Sequence, residues 1–318
     1  MKQKKTHLAV FAAALFAAVL AFSLVSRASY GQSQVVEKSA TATPALKPLA
    51  LVEKRTASAA AEKRDASLFA DAAARNTVLK YDLSWAFGGK QQRGWYLYTP
   101  LISRMLGAEE EAAGSDFAAS LSRWQTGAGL RASGVLDEET LFRMVSAWQG
   151  ARLKNKEYAT PDRLLQAPSS DFYDPTRADE LRQVERETYA AYKRMVAAAA
   201  ADPSLNLKVT ASGELAPEEK FFKIVSAFRS REHQAALRAQ SPNSGRAGLA
   251  VNSPHFTGRA LDLYVGGEPV ETKDSNRALQ VQTPAYRWLV RNAERFGFRP
   301  YYYEPWHWEY VGAEAASK

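Results

Sequence analysis

Between Ala260 and Val265 the chain alternates strictly. In a strand Leu261, Leu263 and Val265 share one face, and Ala260, Asp262 and Tyr264 share the other. A carboxylate between two leucines therefore need not enter an apolar core; it can face a cleft, with small Ala260 leaving space beside it. Similar short runs, "LKVTAS" and "FKIVSAF" upstream and "RPYYYEPWHWEYVG" at the end, read as further strands. A period near 3.6 appears over 176–201, where Leu181, Val184, Tyr189, Tyr192 and Met195 form one stripe that Pro203 and Asn206 stop. It recurs from Ser230 to Arg238 and from Pro284 to Arg295. Over 116–150 the pattern gives two helices joined by a Ser133-Gly134 turn. Asp116 is the expected cap of the first, with Phe117, Leu121 and Trp124 inward; Asp137 is that of the second, with Leu141, Met144, Val145 and Trp148. The expected architecture is α+β: an antiparallel sheet with flanking helices at 176–313, preceded by a small all-α module at 80–155.

The pattern lapses elsewhere. Residues 29–79 are rich in Ala, Ser, Thr, Lys and Glu without a sustained apolar period, which predicts a flexible linker, with helix between Ala57 and Ala74 as one option. A shorter linker is expected at 156–175. Lys2, Lys4 and Lys5 precede an uncharged apolar run from Leu8 to Val25, with Ser26-Arg27-Ala28 behind it. That is the layout of an export signal in 1–28. At about 1.5 Å per residue the run reaches about 27 Å, so an uncleaved membrane anchor is the other reading. Either places the rest of the chain outside the cytoplasm, in a periplasm or cell envelope.

Composition narrows the chemistry. The 318 residues contain no cysteine, which removes disulfides, thiolate metal sites and thiol nucleophiles. The net charge of +8 suits an anionic polymer such as a cell wall; the cations are dispersed and no nucleic-acid motif accompanies them.

Histidine is scarce, with four in the chain. His255 lies seven residues before Asp262, an odd spacing that a straight strand would put on opposite faces; Thr257-Gly258 supplies a turn that can bring it round. An imidazole and a carboxylate converging in a cleft suit a divalent metal, zinc above all. A third ligand is then required, and His307, between Trp306 and Trp308, is the candidate. Glu304 is the candidate general base toward water in the remaining position. Strand parity puts Glu309, not Glu304, on the face of His307; Pro305 can break that parity, and otherwise Glu309 is the rival base.

Taken together these stretches resemble a known family. "SPHFTGRALD" has the S-x-H-x-x-G-x-A-x-D form of the VanY-type zinc D-alanyl-D-alanine carboxypeptidases, "YYYEPWHWEYVG" their second signature and "VSAFRSREHQ" their third. The resemblance implies zinc held by His255, Asp262 and His307, with Glu304 as catalytic base and later acid. It also implies Arg229 acting on the scissile carbonyl, and Ser253 and Gln234 holding the peptide end of peptidoglycan stem peptides. His233 is read as a helix-surface residue. "RWQTGAGLRASGVLDEETLFRMV" separately resembles the small peptidoglycan-binding helical domain, through Trp124-Gln125, Gly129-Leu130, Ser133-Gly134 and Thr140. Asp137 replaces a glycine usual there. That resemblance implies contact of residues 116–150 with wall polymer. Two alternatives stay open: a zinc endopeptidase cutting another stem or cross-bridge bond, and a wall-binding protein with a purely structural zinc.

Overall fold

The computed structural model describes residues 69–108, 114–240 and 252–312, which lie in one compact unit. The expectations for 1–28 and for 29–68 fall outside the described residues. Among the described residues no helix is long and apolar enough to cross a membrane.

The chain enters through α1 (Ala70–Asp82), turns through a hairpin of β1 (Ser84–Phe87) and β2 (Lys90–Arg93), and continues into α2 (Thr99–Leu106), α3 (Ser115–Gly127) and α4 (Glu138–Ala151). The hairpin is tight because Gly88 and Gly89 both take positive φ, +60° and +79°. Two expectations change here. The N-terminal part is not all-α, since it carries this hairpin, and residues 70–79 of the expected linker belong to α1. Asn76 explains the second change: it is buried, donates to the Gly134 carbonyl at 2.8 Å and accepts from Leu136 N at 2.8 Å. A single amide thus ties α1 to the turn before α4, a long-range contact that local composition does not announce. Asp137 caps α4 as expected, accepting from Thr140 N at 2.9 Å, whereas α3 is preceded by Gly114 and Asp116 lies within its first turn.

Gln125 knits the same region. Fully buried, it donates to the Val135 carbonyl and the Thr140 hydroxyl, both at 2.9 Å, and accepts from Gly134 N at 2.9 Å. Gly134 has φ +66°, and a Cβ there would stand 2.8 Å from the Ala118 carbonyl oxygen, so only glycine fits.

Beyond α4 the expected 156–175 linker contains β3 (Leu164–Gln166), which pairs antiparallel with β4 (Gln183–Glu185). The helix expected from 176 starts ten residues later, as α5 (Arg186–Ala200). Val184, counted in its stripe, is buried in β4, and Glu185 caps the helix through Thr188 N at 2.8 Å. The "LKVTAS" run makes only an isolated bridge, Val209 with Leu215.

The main sheet contains β5 (Ile224–Ser226), β6 (Ala260–Leu263), β8 (Glu304–Tyr310) and β7 (Phe298–Tyr301), adjacent in that order and antiparallel throughout. Leu261, Leu263, Trp306 and Trp308 join a core with Tyr192 and Met195 of α5 and with Tyr286 and Leu289 of α8 (Pro284–Asn292). Two more helices complete the description: α6 (Arg231–Gln240) and α7 (Asp274–Gln282), the latter with no counterpart in the sequence reading.

Candidate metal centre and active site

The register of the two central strands makes the site. Asp262 on β6 lies directly opposite His307 on β8, and Ala260 lies opposite Glu309. Cross-strand partners project to the same face, so the polar face of the alternating strand meets the polar face of its neighbour. His255 reaches this point from outside the sheet. It sits on a 3-10 turn, Pro254–Thr257, which Gly258 closes at φ +68°. A Cβ on Gly258 would stand 2.9 Å from Glu185 N, so the turn abuts the β4–α5 junction and tolerates no side chain.

His255, Asp262 and His307 are all buried, and one ligand-capable atom from each lies within 4.8 Å of the others. The His255 and His307 rings are 5.0 Å apart, close to perpendicular. His255 Nε2 is 3.3 Å from Asp262 Oδ2, and His307 Nδ1 is 2.9 Å from Asp262 Oδ1.

The far side of each ring is fixed. His255 Nδ1 faces the Ala227 carbonyl at 2.6 Å, and a carbonyl only accepts, so Nδ1 carries the proton and Nε2 keeps its lone pair toward Asp262. His307 Nε2 faces Glu309 Oε1 at 3.1 Å and donates to it, so the nitrogen left to offer a lone pair inward, once the ring gives up its second proton to a bound cation, is Nδ1. Two imidazole lone pairs and a carboxylate converging in a buried site are a donor set for a borderline cation, with outer hydrogen bonds that orient the rings.

Burial, and then the Arg229 cation, lower the His255 pKa to about 4, keeping it neutral. Burial opposes protonation of His307 as well, but hydrogen bonds to Asp262 and Glu309 outweigh it and raise its pKa to about 9. Burial also works against ionised Asp262; the neighbouring imidazoles and Arg229 overcome it and hold the carboxyl well below its usual range.

Arg229 donates from Nη2 to Asp262 Oδ2 at 2.6 Å and from Nε to Ser226 Oγ at 3.0 Å. Gln234 Oε1 accepts from its Nη1 at 3.4 Å, and the Arg229 backbone N–H donates to the His255 carbonyl at 3.2 Å. Ser253 Oγ accepts from His255 N at 3.3 Å and caps the turn that carries the ligand. His233 is half-buried on α6; burial and then Arg177 and Arg229 lower its pKa.

Glu304 and Glu309 separate cleanly. Glu304 opens β8, and its Oε1 is buried without a hydrogen-bond partner. Burial pushes its pKa up to about 7, against the pull of nearby His307. Glu309 is fully buried yet saturated: besides His307 it takes both Arg152 and Leu153 N, the latter at 2.9 Å. Burial alone would raise its pKa, but His307 and Arg152 bring it down to about 2. A carboxylate committed to three partners is a poor proton acceptor; Glu304, with an unpartnered buried oxygen, is the better one. The parity objection dissolves because the β7–β8 register shifts between Pro300 and Tyr301, pairing Tyr301 with Glu304. Arg152 was not found from sequence; it follows a helix of the N-terminal part and carries no local signature.

Residues 181–313 match the VanY family, D-alanyl-D-alanine carboxypeptidase, and form a VanY-type domain. No curated protein matches the chain. Among solved structures, one similar chain is a Glu-to-Ala mutant of the vancomycin-resistance D,D-pentapeptidase VanY from a VanB-type cassette in complex with Zn(II). It has 20% identity and a TM-score of 0.32, and the match covers 54% of this chain and 92% of that one. Another is VanYB in complex with D-alanine-D-alanine, with 20% identity, a TM-score of 0.31, and coverage of 52% and 85%.

Proposed function

We propose that this protein is a zinc-dependent D-alanyl-D-alanine carboxypeptidase that hydrolyses the terminal peptide bond of peptidoglycan stem peptides outside the cytoplasmic membrane. The observation that carries the reading is the pairing of a converging His255–Asp262–His307 donor set with a buried, unpartnered Glu304 oxygen. A structural metal site has no use for such a carboxylate, since leaving it unpartnered in the interior costs free energy and only a reaction gives it a task. The VanY match over 181–313 supports the choice of substrate class.

His255 Nε2, His307 Nδ1 and an Asp262 oxygen would hold the zinc, which when bound supplies a Lewis acid that polarises a carbonyl and acidifies water to a pKa of about 7. Glu304, near neutrality in its own pKa, takes the proton of the attacking water and passes it to the departing amine nitrogen. Arg229 holds Asp262 in place, and its cation offsets the negative charge that builds on the carbonyl oxygen in a site with little water to screen it. Gln234 and Ser253, bonded in the free protein to Arg229 and to His255 N, are the groups assigned to the peptide end. Residues 116–150 would lie against wall polymer and raise the local substrate concentration. Export follows from the lysine-led apolar segment at the N-terminus.

The test is incubation of purified protein with a stem pentapeptide ending in D-Ala-D-Ala, with and without chelator. Release of free D-alanine, lost on chelation and restored by zinc, is the expected result. Cleavage at an internal bond would reassign the protein as an endopeptidase. Binding to sacculi without any cleavage would sink the enzymatic reading.

A further inference from the structure

The residue that pins Glu309 comes from far away in sequence. Arg152 is the C-cap of α4, on the helical part of the chain, and Glu309 is on β8 of the main sheet. Arg152 Nε donates to Glu309 Oε1 at 3.1 Å, and Nη2 closes on the same oxygen. The next residue, Leu153, occupies the other carboxylate oxygen with its backbone N–H at 2.9 Å. Arg152 is itself held: Nη1 donates to Gln149 Oε1 at 2.9 Å, and its guanidinium lies 4.0 Å from the centre of the Tyr301 ring. That ring packs edge-on against His307 with centroids 6.0 Å apart. Across the strand Ala260 contributes only a methyl group, which leaves room for the pair.

We propose that Arg152 is a positioning residue for the metal centre: by fixing Glu309 it sets the orientation of the His307 imidazole, so that the helical part of the chain completes the site instead of merely adjoining it. The proposal rests on the reading of His307 as a metal ligand given above. Two features favour orientation over stability as the purpose. Burying an ion pair gains little net stability, because desolvation of both charges offsets their attraction. And the bonds made are those of a clamp: two guanidinium nitrogens and one backbone N–H leave Glu309 a single rotamer, the one that accepts from His307 Nε2. Without the clamp the carboxylate can turn, or let the ring rotate Nδ1 away from Asp262.

The experiment uses the full-length protein with Arg152→Ala, Arg152→Lys and Glu309→Gln, singly and in combination. Zinc affinity is measured by competition with a chromophoric chelator, and kcat and KM on the pentapeptide in parallel. Arg152→Ala is expected to weaken zinc binding by about 10–100-fold, the usual scale for an outer partner of a metal ligand. It should lower kcat while KM stays within about twofold, and Arg152→Lys should recover part of the affinity as a cation without the fork. In the Glu309→Gln background Arg152→Ala should add little, since the residue acts through that carboxylate. If Arg152→Ala fails to fold, Arg152→Lys against wild type carries the same comparison. A folded variant with wild-type zinc affinity, or an undiminished effect in the Glu309→Gln background, overturns the proposal alone. Wild-type protein that binds no zinc overturns the ligand assignment, and the proposal with it.

Discussion

Glu304→Gln should make the metal-free protein more stable while it abolishes activity. The carboxyl is buried, one oxygen has no partner, and burial raises its pKa from 4.5 to about 7. A group whose folded pKa lies above its unfolded one holds its proton more tightly when folded, so the folded state loses stability as pH rises between the two values. At about 1.4 kcal/mol per pKa unit the loss comes to roughly 3 kcal/mol, complete above pH 7 and absent below about pH 4.5. Glutamine has the same shape and never ionises, so it escapes this loss. Urea denaturation in chelator is therefore expected to find Glu304→Gln more stable than wild type by roughly 3 kcal/mol at pH 8 and equal to it near pH 4.5. Zinc should narrow the gap at pH 8, because a cation beside the carboxylate restores the charged form. Turnover by the zinc-loaded variant should drop on the order of a hundredfold or more. Equal stability at both pH values would refute the claim that Glu304 is desolvated, and near-normal turnover would remove it as the base.

Other perturbations reach the rest of the site. Asp262→Ala strips out a proposed ligand and strands the Arg229 cation in the interior; denaturation should show a loss of about 3–5 kcal/mol, with zinc binding abolished. Gly258→Ala forces a side chain into positive φ and against Glu185 N, and should cost at least about 1–2 kcal/mol and weaken zinc binding through displacement of His255, measured by calorimetry and chelator competition. Gln125→Ala leaves the buried Gly134 N–H without its partner, at roughly 1–3 kcal/mol, and should destabilise the chain without altering zinc affinity. In the loaded enzyme kcat/KM should fall on the acid side as Glu304 takes up its proton, with a midpoint below 7 because the bound cation favours the carboxylate.

What the sequence disclosed was local. Parity alone put Asp262 on the face opposite Leu261 and Leu263, and the strand bears this out. The turn at Thr257-Gly258 does bring His255 round to Asp262. Sequence reasoning grouped Asp262 with His307, but the strand register that sets them opposite each other was not legible, because it joins two strands separated by more than forty residues. Periodicity misled over 176–185, where Val184 satisfies a helical stripe and a buried strand position equally well. It also passed over α7, whose buried positions include Asn276, Arg277 and Gln280. No hydrophobicity pattern detects a helix that turns polar groups inward.

The same reasoning bears on the two-part division expected from composition. Trp95, Tyr98, Ile102, Leu121 and Met144 of the helical part belong to one continuous apolar cluster with Leu261, Leu263 and Trp308 of the sheet. Phe87 on the hairpin meets Tyr302, and buried Arg277 donates to the Tyr98 hydroxyl at 2.9 Å while lying over Tyr303. Tyr301, Tyr302 and Tyr303 lead directly into Glu304, so the segment that delivers the proposed base is wedged between the sheet and the helical part. A tethered binding module would keep its own core and move independently; this one shares its core with the sheet and touches the approach to Glu304 on one side and Glu309 on the other. The residues that gave it a wall-binding likeness, Gln125, Gly134 and Thr140, spend their hydrogen bonds on one another. These buried groups account for why the helices fold as they do.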